Sequence, residues 1–180
     1  MMEGLPMYLA YVLNPERGAA DLLLAGFADR LLGAGVPLAG VVQYNSGGAA
    51  EGCVCDMDLR LLPEGGVIRI SQSLGAGSSG CRLDTSALEG AVGAVEPLLD
   101  RAPALLMINK FGKHEAEGRG FRPLIGEALG RGIPVLLGVN DSNLPGFLAF
   151  AGDLAEELEH DPAALDAWFA RVHSADATAA

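Results

Sequence analysis

The sequence predicts a three-layer α/β/α domain on a mostly parallel sheet with an inserted β-hairpin, and three observations lead there. Short apolar runs alternate with amphipathic stretches of helical period, the arrangement in which helices cover both faces of a parallel sheet. One pair of runs instead alternates polar and apolar residues around Pro63-Glu64-Gly65-Gly66, which is antiparallel turn chemistry. A chain of 180 residues, half of them hydrophobic, builds one core and at most a short appendage.

Met7 to Leu13 reads as the first strand, closed by Asn14-Pro15. Asp21 to Leu32 places Leu23, Phe27 and Leu31 on one helical face and ends at Gly33-Ala34-Gly35, where glycine takes the left-handed cap at little cost. Leu38 to Gln43 is the second strand. Cys55 to Leu61 and Val67 to Ser71 form the hairpin, and Ser71 to Gly80 is a loop rich in glycine and serine. The next helix starts near Asp84, with Ser86 and Glu89 spaced as a capping box and Leu88, Val92, Val95 and Leu99 as its stripe. Pro97 must kink it or start a new turn.

Ala104 to Asn109 is a continuous apolar strand of the kind buried on both faces. A helix over Arg122–Gly130, a strand over Val135–Val139 and a helix over Leu144–Ala151 follow. Residues 1–152 are thus expected to form the α/β domain, and residues 153–180 an acidic C-terminal helix with a frayed tail. That helix, Asp161 to His173, presents Leu165, Trp168, Phe169 and Val172. Its stripe is expected to pack on the domain's own sheet, with contact to a second copy as the alternative.

Composition excludes several roles. Twelve basic residues against 23 acidic ones give a net charge of −11, so no nucleic-acid partner is expected. No apolar run approaches the roughly 20 residues that span a bilayer, and the start of the chain lacks the pattern of a signal peptide. Three cysteines are an odd number, which fits a reducing cytoplasm better than a disulfide scaffold.

The charge is unevenly spread. Residues 110–131 carry a net +2 through Lys110, Lys113, Arg119, Arg122 and Arg131, while the remainder carries −13. This basic island starts where a buried strand ends, and open α/β sheets bind ligands at the carboxyl ends of their strands. A second anion signal is the run Gly75-Ala76-Gly77-Ser78-Ser79-Gly80-Cys81-Arg82. Its glycines let successive amides point at one spot, it leads into a helix N-terminus, and Arg82 stands beside them. Solvated charges and a flexible connector are the plainer readings of the two signals.

The first strand-to-helix turn points the other way. A phosphate loop reads G-x-x-x-x-G-K-[ST], whereas Asn14 to Asp21 has one glycine, no lysine and two acids that repel a triphosphate. Metal binding would have to draw on Cys53, Cys55, Cys81 and His114, whose spacing matches no zinc ribbon or finger. Incidental thiols are the expectation, with no metal and no cofactor. No nucleophile-elbow sequence supports serine catalysis.

The segment Asn109-Lys110-Phe111-Gly112-Lys113-His114-Glu115-Ala116-Glu117-Gly118-Arg119-Gly120 resembles the strand-end motif N-[KR]-F-G-[KR]-x-E-A-x-G-x-G. That motif belongs to a family of small bacterial proteins known as a domain of unknown function and described as nucleoside-triphosphatase-like. Cys55 to Arg60, Gly80 to Asp84 and Gly132 to Leu136 match its other motifs, and the resemblance spans Met7 to Gly152. It implies a phosphate-loop-NTPase-like sheet and an association with molybdenum-transport genes, sometimes as a fused domain. A more distant similarity is to the thermophile nucleoside-triphosphatase family, whose motif is D-E-I-G-x-M-E. Gly112 and Glu115 match it; its two acids are replaced by Asn109 and Lys110.

Three functions follow as expectations. The first is a cytoplasmic binding protein for a small anion, an oxyanion such as molybdate or a phosphorylated metabolite. Gly75, Gly77, Ser78, Ser79, Gly80, Arg82, Asn109, Lys110, Lys113 and Arg119 would hold it, with Arg60 joining from the hairpin. The second is a divergent nucleotide hydrolase or phosphotransferase with Glu115 or Glu117 as general base. The third is a regulatory or interaction module without chemistry.

Overall fold

The computed structural model describes residues 4–14, 18–46, 56–72 and 82–179. Its strands are β1 (Leu9–Leu13), β2 (Leu38–Ser46), β3 (Asp56–Leu62), β4 (Val67–Arg69), β5 (Ser71–Gln72), β6 (Arg82–Leu83), β7 (Leu105–Phe111), β8 (Val135–Val139) and β9 (Ala155–Leu158). The helices are α1 (Ala19–Gly33), α2 (Thr85–Val95), the single turn α3 (Lys113–Ala116), α4 (Arg122–Gly130), α5 (Leu144–Ala151) and α6 (Pro162–Ala179).

Seven strands form one sheet in the order β4-β3-β2-β7-β8-β1-β9. Five of them, β2, β7, β8, β1 and β9, run parallel, and the β3–β4 hairpin extends the β2 edge antiparallel. The short pair β5–β6 stands apart. The chain crosses from β1 to β2 through α1 on one face and returns through β7 and β8 on the other, as right-handed crossovers require. Alternation along β1 shows the two layers. Leu9 and Tyr11 pack with α2, α4 and α5 through Leu88, Ile125 and Phe147. Ala10 and Val12 pack with α1 and α6 through Phe27 and Trp168.

Some expectations are displaced. The capping box is not used: Asp84 caps α2, its carboxylate accepting from the Ala87 amide at 3.1 Å, and Glu89 faces elsewhere. Pro97 does end the α-helix, which continues as a 3-10 helix over Glu96–Arg101. The strand expected to stop at Asn109 continues to Phe111.

Residues 153–180, set apart in the sequence as an acidic appendage, contribute β9 beside β1 and α6 beside α1. Leu165, Trp168 and Val172 are buried there, and Phe169 meets Phe27 edge-on at 6.2 Å between ring centres. Among the described residues no helix is long and apolar enough to cross a membrane.

Candidate functional site

Near its carboxyl end β7 departs from regular pairing with β8 between Ile108 and Phe111, and the two residues there lie in different surroundings. Asn109 is buried, at 3 % exposure, and bonds toward α1, whereas Lys110 is exposed. The Asn109 Nδ2 donates to Asp21 Oδ1 in the first turn of α1 at 2.8 Å, and its Oδ1 accepts from the Gln43 amide of β2 at 3.0 Å. The Asn109 carbonyl can lie deep in the sheet because Gly138 of β8 offers no Cβ, which would stand 2.6 Å from that oxygen. At the start of α1 the Asn14 Oδ1 accepts from the Ala20 amide at 3.2 Å. On this face the helix start is therefore bonded from within the chain.

The other face is open. Between the carboxyl ends of β2 and β7, the hairpin and α2 lies a cleft of about 360 Å³. Its walls are largely apolar, with Met57, Leu59, Ile70, Leu83, Leu88 and Phe121 among them, and Lys110 and Lys113 belong to its lining. The preceding helix thus starts near the carboxyl edge of β7, as its antiparallel course requires.

One side of the cleft is held by the motif that follows Lys110. Glu115 is buried, at 3 % exposure. Its Oε2 accepts from the Gly112 amide at 3.0 Å and its Oε1 from the Phe121 amide at 3.3 Å, so it ties α3 to the start of α4. Burial pushes its carboxyl up, and those amides act against the rise. Gly120, at φ +60°, is required here, since a Cβ on it would lie 2.3 Å from Glu115 Oε1. Beside it Glu89 Oε1 accepts from the Gly120 amide at 2.8 Å and lies 2.9 Å from His114 Nε2. The Gly120 amide holds Glu89 below the usual carboxylate range, with a smaller contribution from His114.

The expected site residues divide accordingly. Asn109, Lys110, Lys113, His114 and Glu115 line the same cleft. Glu117 and Arg119 are exposed on its outer side and pair with each other at 2.5 Å, and Lys113 stands 4.0 Å from Glu117. Arg60 is not in the cleft. It points to the α1 face, pairs with Asp29 at 2.6 Å and lies 5.3 Å from the Tyr44 ring centre. Strand alternation explains the displacement, because Leu59 on the neighbouring position faces the cleft. The backbone of Arg82 pairs with Gln72 in β6. Gly75, Gly77, Ser78, Ser79, Gly80, Cys53, Cys55 and Cys81 lie outside the described residues.

Among the described residues no three His, Cys, Asp or Glu side chains are grouped to hold a metal. Sequence reasoning missed Glu89 as the partner of His114. It also took Asp21 for a repulsive charge without finding its partner, and a tertiary pairing of that kind leaves no local signal.

A family model described as a protein of unknown function, DUF2478, matches residues 9–168. The chain belongs to the DUF2478 family. It is 35 % identical over 164 residues to the molybdenum import ATP-binding protein ModC 2 of Bradyrhizobium diazoefficiens. That alignment covers 91 % of this chain and 18 % of the relative, so the chain spans less than a fifth of that protein's length. Among solved structures, THEP1 from the hyperthermophile Aquifex aeolicus superposes with a TM-score of 0.61 at 17 % identity, covering 92 % of this chain and 96 % of that one. A human cancer-related nucleoside triphosphatase gives 0.56 at 18 % identity, covering 84 % and 87 %. At such identities the likeness is one of fold, and it makes this DUF2478 chain nucleoside-triphosphatase-like in architecture.

Proposed function

We propose that this DUF2478 chain is a cytoplasmic binding protein for a small anion, an oxyanion such as molybdate or a phosphorylated metabolite. The observation that carries the reading is the split at the end of β7. The Asn109 side chain is bonded to Asp21 and to the Gln43 amide, while Lys110, beside it in the lining of the cleft, has no ion-pair partner among the described residues. An ammonium that shares the cleft lining with Lys113 favours an anion, since two neighbouring cations gain from a charge placed between them. The missing Walker A pattern at Asn14–Asp21 supports binding without hydrolysis. The relative named for molybdenum import supports an oxyanion as one choice. Arg82 and the Gly75–Gly80 loop complete the proposed set.

The test is differential scanning fluorimetry against molybdate, tungstate, sulfate and phosphate. A ligand at 100 times its Kd stabilises by about 2.7 kcal/mol. Lys110→Ala and Arg82→Ala should weaken the shift and leave the unliganded protein equally stable or more so, and Arg60→Ala should leave the shift intact. If no anion shifts the wild type, the reading fails.

A second reading, a nucleotide hydrolase or phosphotransferase, draws support from Glu115, a carboxyl raised by burial at the cleft wall, as a general base often is. Against it, both oxygens of that carboxylate already accept from backbone amides. Magnesium-dependent phosphate release from nucleotides, abolished by Lys110→Ala, would put this reading first.

A further inference from the structure

We infer that the ligand of the β2–β7 cleft is an organic anion with an apolar body, its charged group at Lys110 and Lys113 and its body on the floor between the sheet and α2. The inference rests on the anion-binding reading and narrows it. The cleft measures about 360 Å³, within the range of roughly 300–1,000 Å³ of small-molecule pockets. A bare tetrahedral oxyanion does not fill such a space. It would also meet walls made by Leu59, Ile70, Leu83, Leu88, Ile108 and Phe121, where an unpaired charge is costly.

Polar groups of the wall are already engaged within the chain, Asn109 with Asp21 and the Gln43 amide and Asn143 with Asn140. The Glu115 oxygens are bonded to the amides of Gly112 and Phe121, and His114 Nε2 is bonded to Glu89. Glu115 is also wrong for the task, since a carboxylate repels an anion. The cations, by contrast, are peripheral. Lys113 is 87 % exposed along its side chain, and Lys110 is the exposed residue of an otherwise buried β7. Charge at the rim and hydrocarbon inside match a ligand of the same polarity, whose apolar part is dehydrated while its head remains partly in water.

The experiment compares inorganic phosphate, 1-naphthyl phosphate and uncharged 1-naphthol by isothermal titration on the wild-type chain, Lys110→Ala and Leu83→Trp. Leu83→Phe replaces the last variant if it does not fold. 1-Naphthyl phosphate should bind at least about tenfold tighter than phosphate, the gain expected from burying its ring surface. Lys110→Ala should weaken 1-naphthyl phosphate, and the cleft-filling variant should remove its advantage over phosphate.

Equal affinities for the two phosphates, both lowered by Lys110→Ala, would overturn the apolar body and leave the anion reading standing. Equal affinities for 1-naphthol and 1-naphthyl phosphate, unaffected by Lys110→Ala, would overturn the charged head. Absence of binding by either phosphate would defeat the inference and the anion reading together.

Discussion

The two faces of the sheet treat neighbouring residues of one strand in opposite ways. On the α1 face, Asn109 bonds to Asp21 and to the Gln43 amide, and Asn14 accepts from the helix start at Ala20. On the other side, Lys110 stands in the lining of a largely apolar cleft. In folds of this architecture anions gather at helix starts and strand ends. Here the helix start after β1 holds a carboxylate of the chain itself, and the cations stand across the sheet. The comparison teaches that fold likeness locates an edge of the sheet, whereas the side of that edge on which chemistry can occur is set by single residues.

The largest test of this contrast is Asn109→Asp. It sets a second carboxylate where 2.8 Å now separates Asn109 Nδ2 from Asp21 Oδ1. Two carboxylates this close, one buried and one half-buried, cannot both ionise freely, so a loss of about 2–4 kcal/mol at neutral pH is expected from urea unfolding. The pair would hold a proton in the folded state with a raised apparent pKa. Its penalty therefore grows as pH rises above the unfolded carboxylate pKa and fades in acid. Combining the change with Asp21→Asn should restore most of the stability. A neutral outcome for the single variant would mean that the α1 face is not held by this pair.

Gly120→Ala probes the α2 side. Its Cβ would stand 2.3 Å from Glu115 Oε1 at a φ of +60°, so the tie between α3 and α4 must shift. About 2–3 kcal/mol should be lost, and the cleft should lose its wall. Stability as in the wild type would show that Glu115 is not the tie described.

What was legible in the sequence follows the same division. Repeating patterns announced the parallel sheet, the hairpin and α4, because burial on a face writes itself into period and run length. β9 was not legible: Ala155-Glu156-Glu157-Leu158 is an edge strand in which only Leu158 is buried, so its residues read as part of an acidic tail. The basic island marked the cleft, yet Arg60 was assigned to it against its own alternation with Leu59. Glu89 was read as a local cap because Ser86 stands three residues before it. Its partners, His114 and Gly120, are 25 and 31 residues away, beyond any local pattern.

That distant pairing gives the smallest expected effect and fixes its sign. Glu89 is held below the usual carboxylate range, first by the Gly120 amide and then by His114. A carboxyl depressed in the folded state adds stability that is present above its unfolded pKa and is lost as pH falls through its folded one. Its side chain is 48 % exposed, so solvent screens the effect and salt should weaken it further. Glu89→Gln keeps an oxygen for the Gly120 amide and removes only the charge. The variant should be modestly less stable than the wild type at neutral pH, and the two should converge in acid, read by chemical denaturation from pH 7 down to pH 3. A constant difference across that range would mean that packing, not charge, is what Glu89 supplies at the edge of the cleft.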